Sequence, residues 1–437
     1  MKGNSNENIL PPGWKWVKLG EYVTSVKGKK PKRISKEKTF ECSIPYVNIK
    51  AFEKKEIDEY TDGIGCVLCG DGDFLMVWDG SRSGFVGKGI KGALGSTLVK
   101  LNFPVIENNY AFYFLQSKFI EINTRAKGVG IPHVDPNILW NYRLLIPPIE
   151  TQRTIVSKIE ELFSELDKGI ENLKTAQQQL KTYRQSVLKW AFEGKLTREE
   201  GRSPNYELRN TNYELPLAAE PKENYLTDLP EGWRWVTLGE ICDPARKCSY
   251  GVLVPGENVE DGIKLLRVGD INENGIINHI DMKKISPLIA SKYKRTFLQG
   301  GEVVISLVGA IGRTAVIPVS LKGANTARAV GVIPVSKNIS AKFVEMMLRS
   351  PKKIREHNKS SHEVARKTLN LEDVVRSKIP LPPFKEQLNI VQTIETRLSV
   401  ADKMEESINL SLQKAEALRL SILKRAFEGR LVSPVER

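Results

Sequence analysis

Three short patterns in this chain of 437 residues have the residue types for chemistry, and each lacks the context that chemistry needs. Cys66 and Cys69 form a single C-x-x-C, half of a zinc site. The other half would have to come from the scattered Cys42 and His133, so ordinary buried thiols are expected and no metal ligand is assigned. Gly87, Gly89 and Gly92 spell G-x-G-x-x-G. They lead into ALGSTLVKL, which reads as a strand, whereas a dinucleotide loop must open a helix. Leu381-Pro382-Pro383-Phe384 comes close to the Asn/Asp/Ser-Pro-Pro-aromatic signature of DNA amino-methyltransferases. Leucine offers no acceptor for an amine proton, and the same place elsewhere in the chain reads Ile146-Pro147-Pro148-Ile149, so both are read as helix entries. No GxxxxGK[ST] loop and no acidic cluster fit for a metal-dependent nuclease are present. No catalytic residue is assigned.

Binding is better supported than catalysis. The formal charge is +14 with a pI near 9.3, and basic residues cluster, as they do on proteins that meet a polyanion. Between Val26 and Lys38 stand seven bases and one acid. Candidate nucleic-acid contacts in the first half are Lys29, Lys30, Lys32 and Arg33, then Ser81 and Arg82 in the turn Trp78–Arg82, then Lys88 and Lys91. Arg125, Lys127 and His133 follow in a later loop. In the second half they are Arg246, Lys247, Tyr250, Arg267, Arg313 and Arg328, then Lys359, His362, Arg366 and Lys367 in a loop from His357 to Lys367. Arginine can pair with guanine in the major groove, and serine and histidine can reach other base edges. The pairs Trp14/Trp16 and Trp233/Trp235 are expected in the core. Five cysteines without regular spacing fit a reducing compartment. The hydrophobic fraction of 41% is that of a globular chain. No apolar run reaches the ~18 residues of a membrane span, and MKGNSNENIL has no signal-peptide core.

The elements that must carry these residues are written twice. Residues 146–196 and 381–431 align without a gap at an offset of 235, with 21 of 51 positions identical. That is a duplication. In the first copy Ile159, Leu166, Leu173, Leu180 and Val187 recur every seven residues. Leu162, Gly169, Ala176, Tyr183 and Trp190 form a second series offset by three, together the pattern of a coiled-coil seam. The second copy has Ile394, Ala401, Ile408, Ala415 and Ile422, with a weaker companion series of Arg397, Met404, Ser411, Leu418 and Arg425, and Leu398 and Leu412 supply apolar surface nearby. Pro147–Pro148 and Pro382–Pro383 suit helix entries, and Gly194 and Gly429 suit helix stops. About 42 residues of helix between them would be roughly 63 Å long. Such a helix exposes an apolar stripe, and its own duplicate is the nearest partner.

The duplication extends to the globular parts. LPPGWKWVKLGEYV (Leu10 to Val23) and LPEGWRWVTLGEIC (Leu229 to Cys242) open two units, each with a turn, a short strand and a helix start. Ile44–Asp58 parallels Ile263–Ile277, and Gly72–Gly87 parallels Gly301–Val316. These are short β-rich runs broken by glycine turns, which predict a twisted antiparallel sheet. A helical piece follows in each half, Tyr110–Asn123 and Ala341–Ile354. The expected fold is α+β. Two globular α/β domains (1–146 and 229–380) alternate with two long helices (147–196 and 381–437) packed as an antiparallel coiled coil. The polar stretch 197–228 reads as a linker.

This layout resembles the specificity subunit of type I restriction–modification systems. The resemblance rests on LPPGW and LPEGW, IPPIETQ and LPPFKEQ, AFEGKL and AFEGRL, six motifs in order across nearly the whole chain. The first helix entry departs slightly, with Thr151 where Glu386 stands in the second copy. The resemblance implies a non-enzymatic DNA-targeting subunit of the prokaryotic cytoplasm. It implies two target-recognition domains that each read half of a split DNA sequence, and a helical spacer. It also implies docking of two methyltransferase subunits, assigned partly to Phe192 and Phe427, and of restriction/translocase subunits. S-adenosylmethionine, ATP and Mg²⁺ are expected only on those partners, with no cofactor on this chain. The competing readings are an enzyme with an unrecognised site and a scaffold that binds proteins only.

Overall fold

The computed structural model describes residues 10, 12–128, 130–198, 229–364 and 366–432, so nearly all of the expected linker 197–228 lies outside the described residues. The chain divides into two compact units. One comprises Met1–Lys174 and Asn409–Arg437, the other Thr175–Ile408. Each unit therefore contains one globular domain, the first part of one long helix and the last part of the other.

In the first unit the strands are β1 (Lys15–Lys18), β2 (Thr24–Lys27), β3 (Ile44–Val47), β4 (Tyr60–Thr61), β5 (Leu68–Cys69), β6 (Phe74–Val77), β7 (Val86–Lys88), β8 (Gly92–Leu94), β9 (Leu98–Asn102) and β10 (Arg143–Ile146). They form sheets of order β2-β9-β6-β7 and β4-β3-β8-β5, with β1 paired to β10. The second unit has β11 (Arg234–Thr237), β12 (Ser249–Tyr250), β13 (Ile263–Leu266), β14 (Lys284–Ile285), β15 (Val303–Ser306), β16 (Thr314–Val316), β17 (Asn325–Thr326), β18 (Val330–Ile333), β19 (His362–Val364), β20 (Arg366–Thr368) and β21 (Lys378–Leu381). The four-stranded order and the end pair repeat as β12-β18-β15-β16 and β11 with β21, the other sheet keeps three strands as β14-β13-β17, and β19 pairs with β20. The sheets are not wholly antiparallel as expected. β3 runs parallel to β8, and β13 to β17. The chain between these partners passes through the other sheet first, so the second strand returns in the same direction.

Each Trp-Gly opening forms a turn, a strand and a 3₁₀ turn. Gly13 and Gly232 stand at φ +81°, a conformation that suits glycine. Of the tryptophans only part goes inside. Trp233 is buried, and its indole N–H donates to Glu386 Oε1 at 3.0 Å. Trp16 and Trp235 are 47% and 41% exposed, under Arg143 and Lys352 respectively. Strand alternation explains this, because Val17 and Val236 take the inward places next to them. The first helical piece is the helix Asn108–Thr124. The second, expected as one piece, is two helices, Ala341–Leu348 and Pro351–Lys359, because Ser350 caps a new start with proline behind it.

The long helices are Ile149–Phe192 and Phe384–Phe427, 44 residues each. Their prolines do what a helix entry allows: the carbonyls of Pro148 and Pro383 accept from the N–H groups of Gln152 and Gln387, both at 3.0 Å. Gly194 and Gly429 stop them at φ +65° and +72°. Ile155, Val156, Ile159 and Phe163 share a core with Ile422, Leu423 and Ala426 in the first unit. In the second, Val187, Leu188, Ala191 and Phe192 share one with Ile390, Val391 and Ile394. Within each unit the two helix segments run antiparallel, and charge favours that direction. Residues 149–174 carry six acids and four bases, while 409–427 carry one acid and four bases. Residues 384–408 carry five acids and three bases, while 175–192 carry three bases and no acid. An acidic helix start thus lies beside a basic helix end in both units.

The primary heptad series turn inward. Ile159, Val187, Ile394, Ala401, Ala415 and Ile422 are buried, with Leu166, Leu173, Leu180 and Ile408 half-buried. The companion series takes its expected place only in part: Leu162, Ala176, Arg397 and Ser411 are half-buried, with Leu162 packed on the first unit's core. Gly169, Tyr183, Trp190, Met404, Leu418 and Arg425 are exposed. The positions that join the seam lie four residues on, not three: Phe163, Ile170, Gln177, Arg184 and Ala191, matched by Leu398, Glu405, Leu412, Arg419 and Ala426. Steps of three and four alternate in either phase, so spacing alone leaves both open.

Candidate nucleic-acid interface

In the first domain the basic run follows β2, where the backbone is pinned. The N–H of Gly28 donates to Leu98 O at 2.9 Å and that of Lys29 to Leu94 O at 3.1 Å. A Cβ on Gly28 would lie 2.1 Å from Gly95 O, so only glycine permits this close approach. Beyond it Lys29, Lys30 and Lys32 are exposed and carry no ion pair among the described residues. Arg33 is exposed and pairs with Glu41 at 2.8 Å.

The β6–β7 turn lies beside this run. Lys27 pairs with Asp79 at 2.8 Å. Arg82 reaches Glu53 at 3.2 Å and lies over the Phe85 ring, and Ser81 is exposed. The loop after helix Asn108–Thr124 docks on the same turn. Gly80 N–H donates to Pro132 O at 2.7 Å, Val134 N–H to Trp78 O at 2.9 Å, and Lys127 and His133 exchange backbone hydrogen bonds. Lys127 also pairs with Asp135 at 2.8 Å, and Arg125 with Glu121 at 3.4 Å. The structure thus brings together three stretches far apart in sequence, around Lys29, Arg82 and His133. Lys88 is exposed but engaged with its own domain. It donates to Asn109 Oδ1 at 2.5 Å and sits over Phe112, and burial holds its ammonium below the ordinary lysine range. Lys91 is exposed, with its own N–H donating to Asp71.

The second domain builds the same junction from different parts. Gly251 follows β12 as Gly28 follows β2, and a Cβ there would lie 1.9 Å from Thr326 O. The β15–β16 turn receives the hairpin β19–β20: Gly309 N–H donates to Lys367 O at 3.1 Å, and Leu369 N–H to Leu307 O at 2.8 Å. The stretch read as a loop from His357 to Lys367 is therefore a helix end and a hairpin. His357 is buried in the helix, and burial first, then Lys353, lowers its pKa to about 4. Lys359 is exposed at the helix end. The backbone of His362 and Arg366 lies in the hairpin, and their side chains fall outside the described residues.

Beside this junction is a hollow of about 510 Å³ lined by Arg267, Val268, Gly269, Val308, Gly309 and Lys367, among others. Arg328 is exposed next to Ala327 on its rim. Several candidate arginines also serve the fold. Arg246 pairs at 2.8 Å with Glu302, which is buried, and donates to Phe297 O. Arg267 grips Asp270 through two nitrogens at 3.2 and 2.9 Å. Arg313 donates to Ile271 O at 3.2 Å. Tyr250 has an exposed ring while its hydroxyl accepts from Leu371 N–H at 2.9 Å. Lys247 is exposed. Phe192 and Phe427, expected to dock partners, are used within their own units. Phe192 is buried with its ring 5.4 Å from Phe343. Phe427 is half-buried against Tyr110 and Phe114, at 5.1 and 5.4 Å.

Gln152 and Gln387 close the motifs IPPIETQ and LPPFKEQ, where sequence reading assigns them no role; they are equivalent in the repeat and both buried. Gln152 donates to Pro147 O at 2.8 Å and accepts from Glu107 N–H at 2.9 Å. Gln387 donates to Pro382 O and accepts from Ser340 N–H, both at 2.9 Å. Each amide ties a long helix to the start of its domain's own helix. Their one signal in the sequence is a glutamine at the same place after both proline pairs. The C-x-x-C stays apart, with Cys69 buried and its thiol directed at Ile90 O and Gly92 O. Among the described residues no group of three or more His, Cys, Asp or Glu could hold a metal ion, and no helix is long and apolar enough to cross a membrane.

Comparison with known proteins gives these paired junctions a family. The model of the type I restriction modification DNA specificity domain matches residues 11–175 and again 230–414. The chain belongs to this family. It is 33% identical over 365 residues to the type I restriction enzyme EcoBI specificity subunit of Escherichia coli, covering 83% of this chain and 74% of that one. It is 25% identical over 431 residues to the MjaVIII specificity subunit of Methanocaldococcus jannaschii, covering 94% and 93%. Among solved structures, a chain from a study of complex assembly and conformational transition of the type I R-M system matches with TM-score 0.69 at 22% identity, covering 97% of this chain and 99% of that one. The crystal structure of the HsdS subunit from Thermoanaerobacter tengcongensis matches with TM-score 0.55 at 22% identity, covering 97% and 98%. Type I specificity subunits are the non-catalytic DNA-recognition components of their systems, and this chain is one of them. The duplicated α+β domains and the paired long helices are the family's fold.

Proposed function

We propose that each domain reads one half of a bipartite DNA target through the junction beside its four-stranded sheet. In the first domain the reading surface is formed by Lys29, Lys30, Lys32, Arg33, Ser81, Arg82, Lys91, Arg125, Lys127 and His133. In the second it is the rim of the hollow with Lys247, Tyr250, Arg328, Lys359 and Lys367. The observation that carries this reading is a repeated framework with unlike edges: the same strand orders present different side chains at equivalent places. Phosphate contacts by lysines fix register and supply affinity, while groups on the turns and hairpin select bases. The paired long helices set the gap between the half-sites and carry the surface for two methyltransferase subunits, which restriction/translocase subunits join. S-adenosylmethionine, ATP and Mg²⁺ act on those partners. Footprinting the complex with its modification subunits tests this. Two protected half-sites at fixed spacing are expected, and protection of a single continuous site would overturn it.

A further inference from the structure

We propose that Cys242 and Cys248 close a reversible disulfide when the protein meets a low-molecular-weight disulfide, and that the bond staples the segment leading into β12. Their sulfurs lie 3.3 Å apart, and both side chains are half-buried, so a small reagent can reach them. The chain between them is already folded back on itself. Asp243 N–H donates to Pro334 O at 2.8 Å, and Arg246 N–H to Asp243 O at 2.9 Å. Most of the loop-closure entropy is therefore spent in the reduced fold. A bond of about 2.05 Å needs the sulfurs to approach by about 1.3 Å, within reach of side-chain rotation.

The polarity of the pair sets the order of events. Cys242 Sγ faces both Leu238 O at 3.2 Å and Cys248 Sγ at 3.3 Å, and the contact with Cys242 holds the Cys248 thiol below the ordinary cysteine range, so Cys248 reacts first. The Cys248 thiolate attacks one sulfur of the reagent and releases one small thiol, leaving a mixed disulfide. Cys242, losing its proton to solvent, then attacks Cys248 Sγ and releases the second. Two protein thiols are oxidised by two electrons, and one disulfide is reduced to two thiols. Cys66 and Cys69 lack this geometry, since their sulfurs face backbone carbonyls. The corresponding stretch of the first domain, from Val23 to Lys29, holds no cysteine, so the device belongs to the second domain alone. The stapled segment carries Arg246 and Lys247 and leads to Tyr250. Any effect on DNA rests on the recognition reading, whereas the bond itself does not.

The full chain is treated with oxidised glutathione, free thiols are alkylated, and trypsin is applied without reductant. Arg246 and Lys247 lie between the cysteines, so cleavage there separates them unless a disulfide joins the two peptides. A joined species that dithiothreitol separates is expected. In Cys242→Ser, Cys248 should accumulate the glutathione adduct, because the second attack is removed. Two separately alkylated or glutathionylated peptides from the native chain would overturn the proposal, as would an unmodified Cys248 in the variant.

Discussion

Arg184 and Arg419 stand at the same place in the two copies of the repeat, and each pairs with the aspartate of the other copy. Arg184 meets Asp402 within one unit, and Arg419 meets Asp167 within the other. Asp167 and Asp402 are themselves equivalent at the offset of 235. The residue numbers of each pair sum to the same value, as antiparallel helices related by that offset require. Arg184 also reaches Glu405 at 2.8 Å, and Arg419 lies over the Phe163 ring.

A double-mutant cycle on Arg184→Gln and Asp402→Asn should give a coupling of only about 0.5–1 kcal/mol, because Asp402 is 65% exposed and water screens the pair. The same size is expected for Arg419→Gln with Asp167→Asn. Chemical denaturation of the full chain measures both. A coupling of zero in both cycles would leave the register to apolar packing alone.

Gln152→Ala and Gln387→Ala should each cost more than those ion pairs. Each substitution leaves a part-buried backbone N–H, of Glu107 or Ser340, without its acceptor. The loss is about 1–3 kcal/mol. Calorimetry would show it as a lowered transition, and Gln→Glu should rescue the acceptor but not the donor half.

Acid should weaken the second domain through His357. Its folded pKa of about 4 lies below the unfolded value of 6.5, so its neutral form favours folding. That stability is whole above pH 6.5 and is lost as pH falls toward 4, up to roughly 3 kcal/mol. Comparing His357→Leu with the native chain across this window should show a smaller acid-induced fall in the variant. Equal falls would place the acid sensitivity elsewhere.

Replacing Lys29, Lys30, Lys32 and Arg33 together by Ala should weaken binding to specific and unrelated DNA alike. The slope of log affinity against log salt should become shallower by about 0.9 for each phosphate that is no longer neutralised. Binding titrations over a salt series read this directly. An unchanged slope removes the run from the DNA surface.

The sequence by itself determined the duplication, both long helices, their caps and one heptad series on each. These signals are local: proline and glycine act on their own backbone, and a seven-residue period needs no knowledge of the partner. The charge drift along each helix, acidic to basic, also lay in the sequence and favours the antiparallel direction. Only the tertiary structure decided the rest. The phase of the companion series depended on which side chains met a neighbour, so Phe163 and Arg184 entered the seam while Trp190 faced water. The parallel strand pairs depended on the route between sheets. The surface that gathers Lys29, Arg82 and His133 depended on backbone hydrogen bonds between segments tens of residues apart, and which arginines stay with Glu302 or Asp270 depended on burial. Long-range pairings of that kind leave no period in the chain, because each is made once.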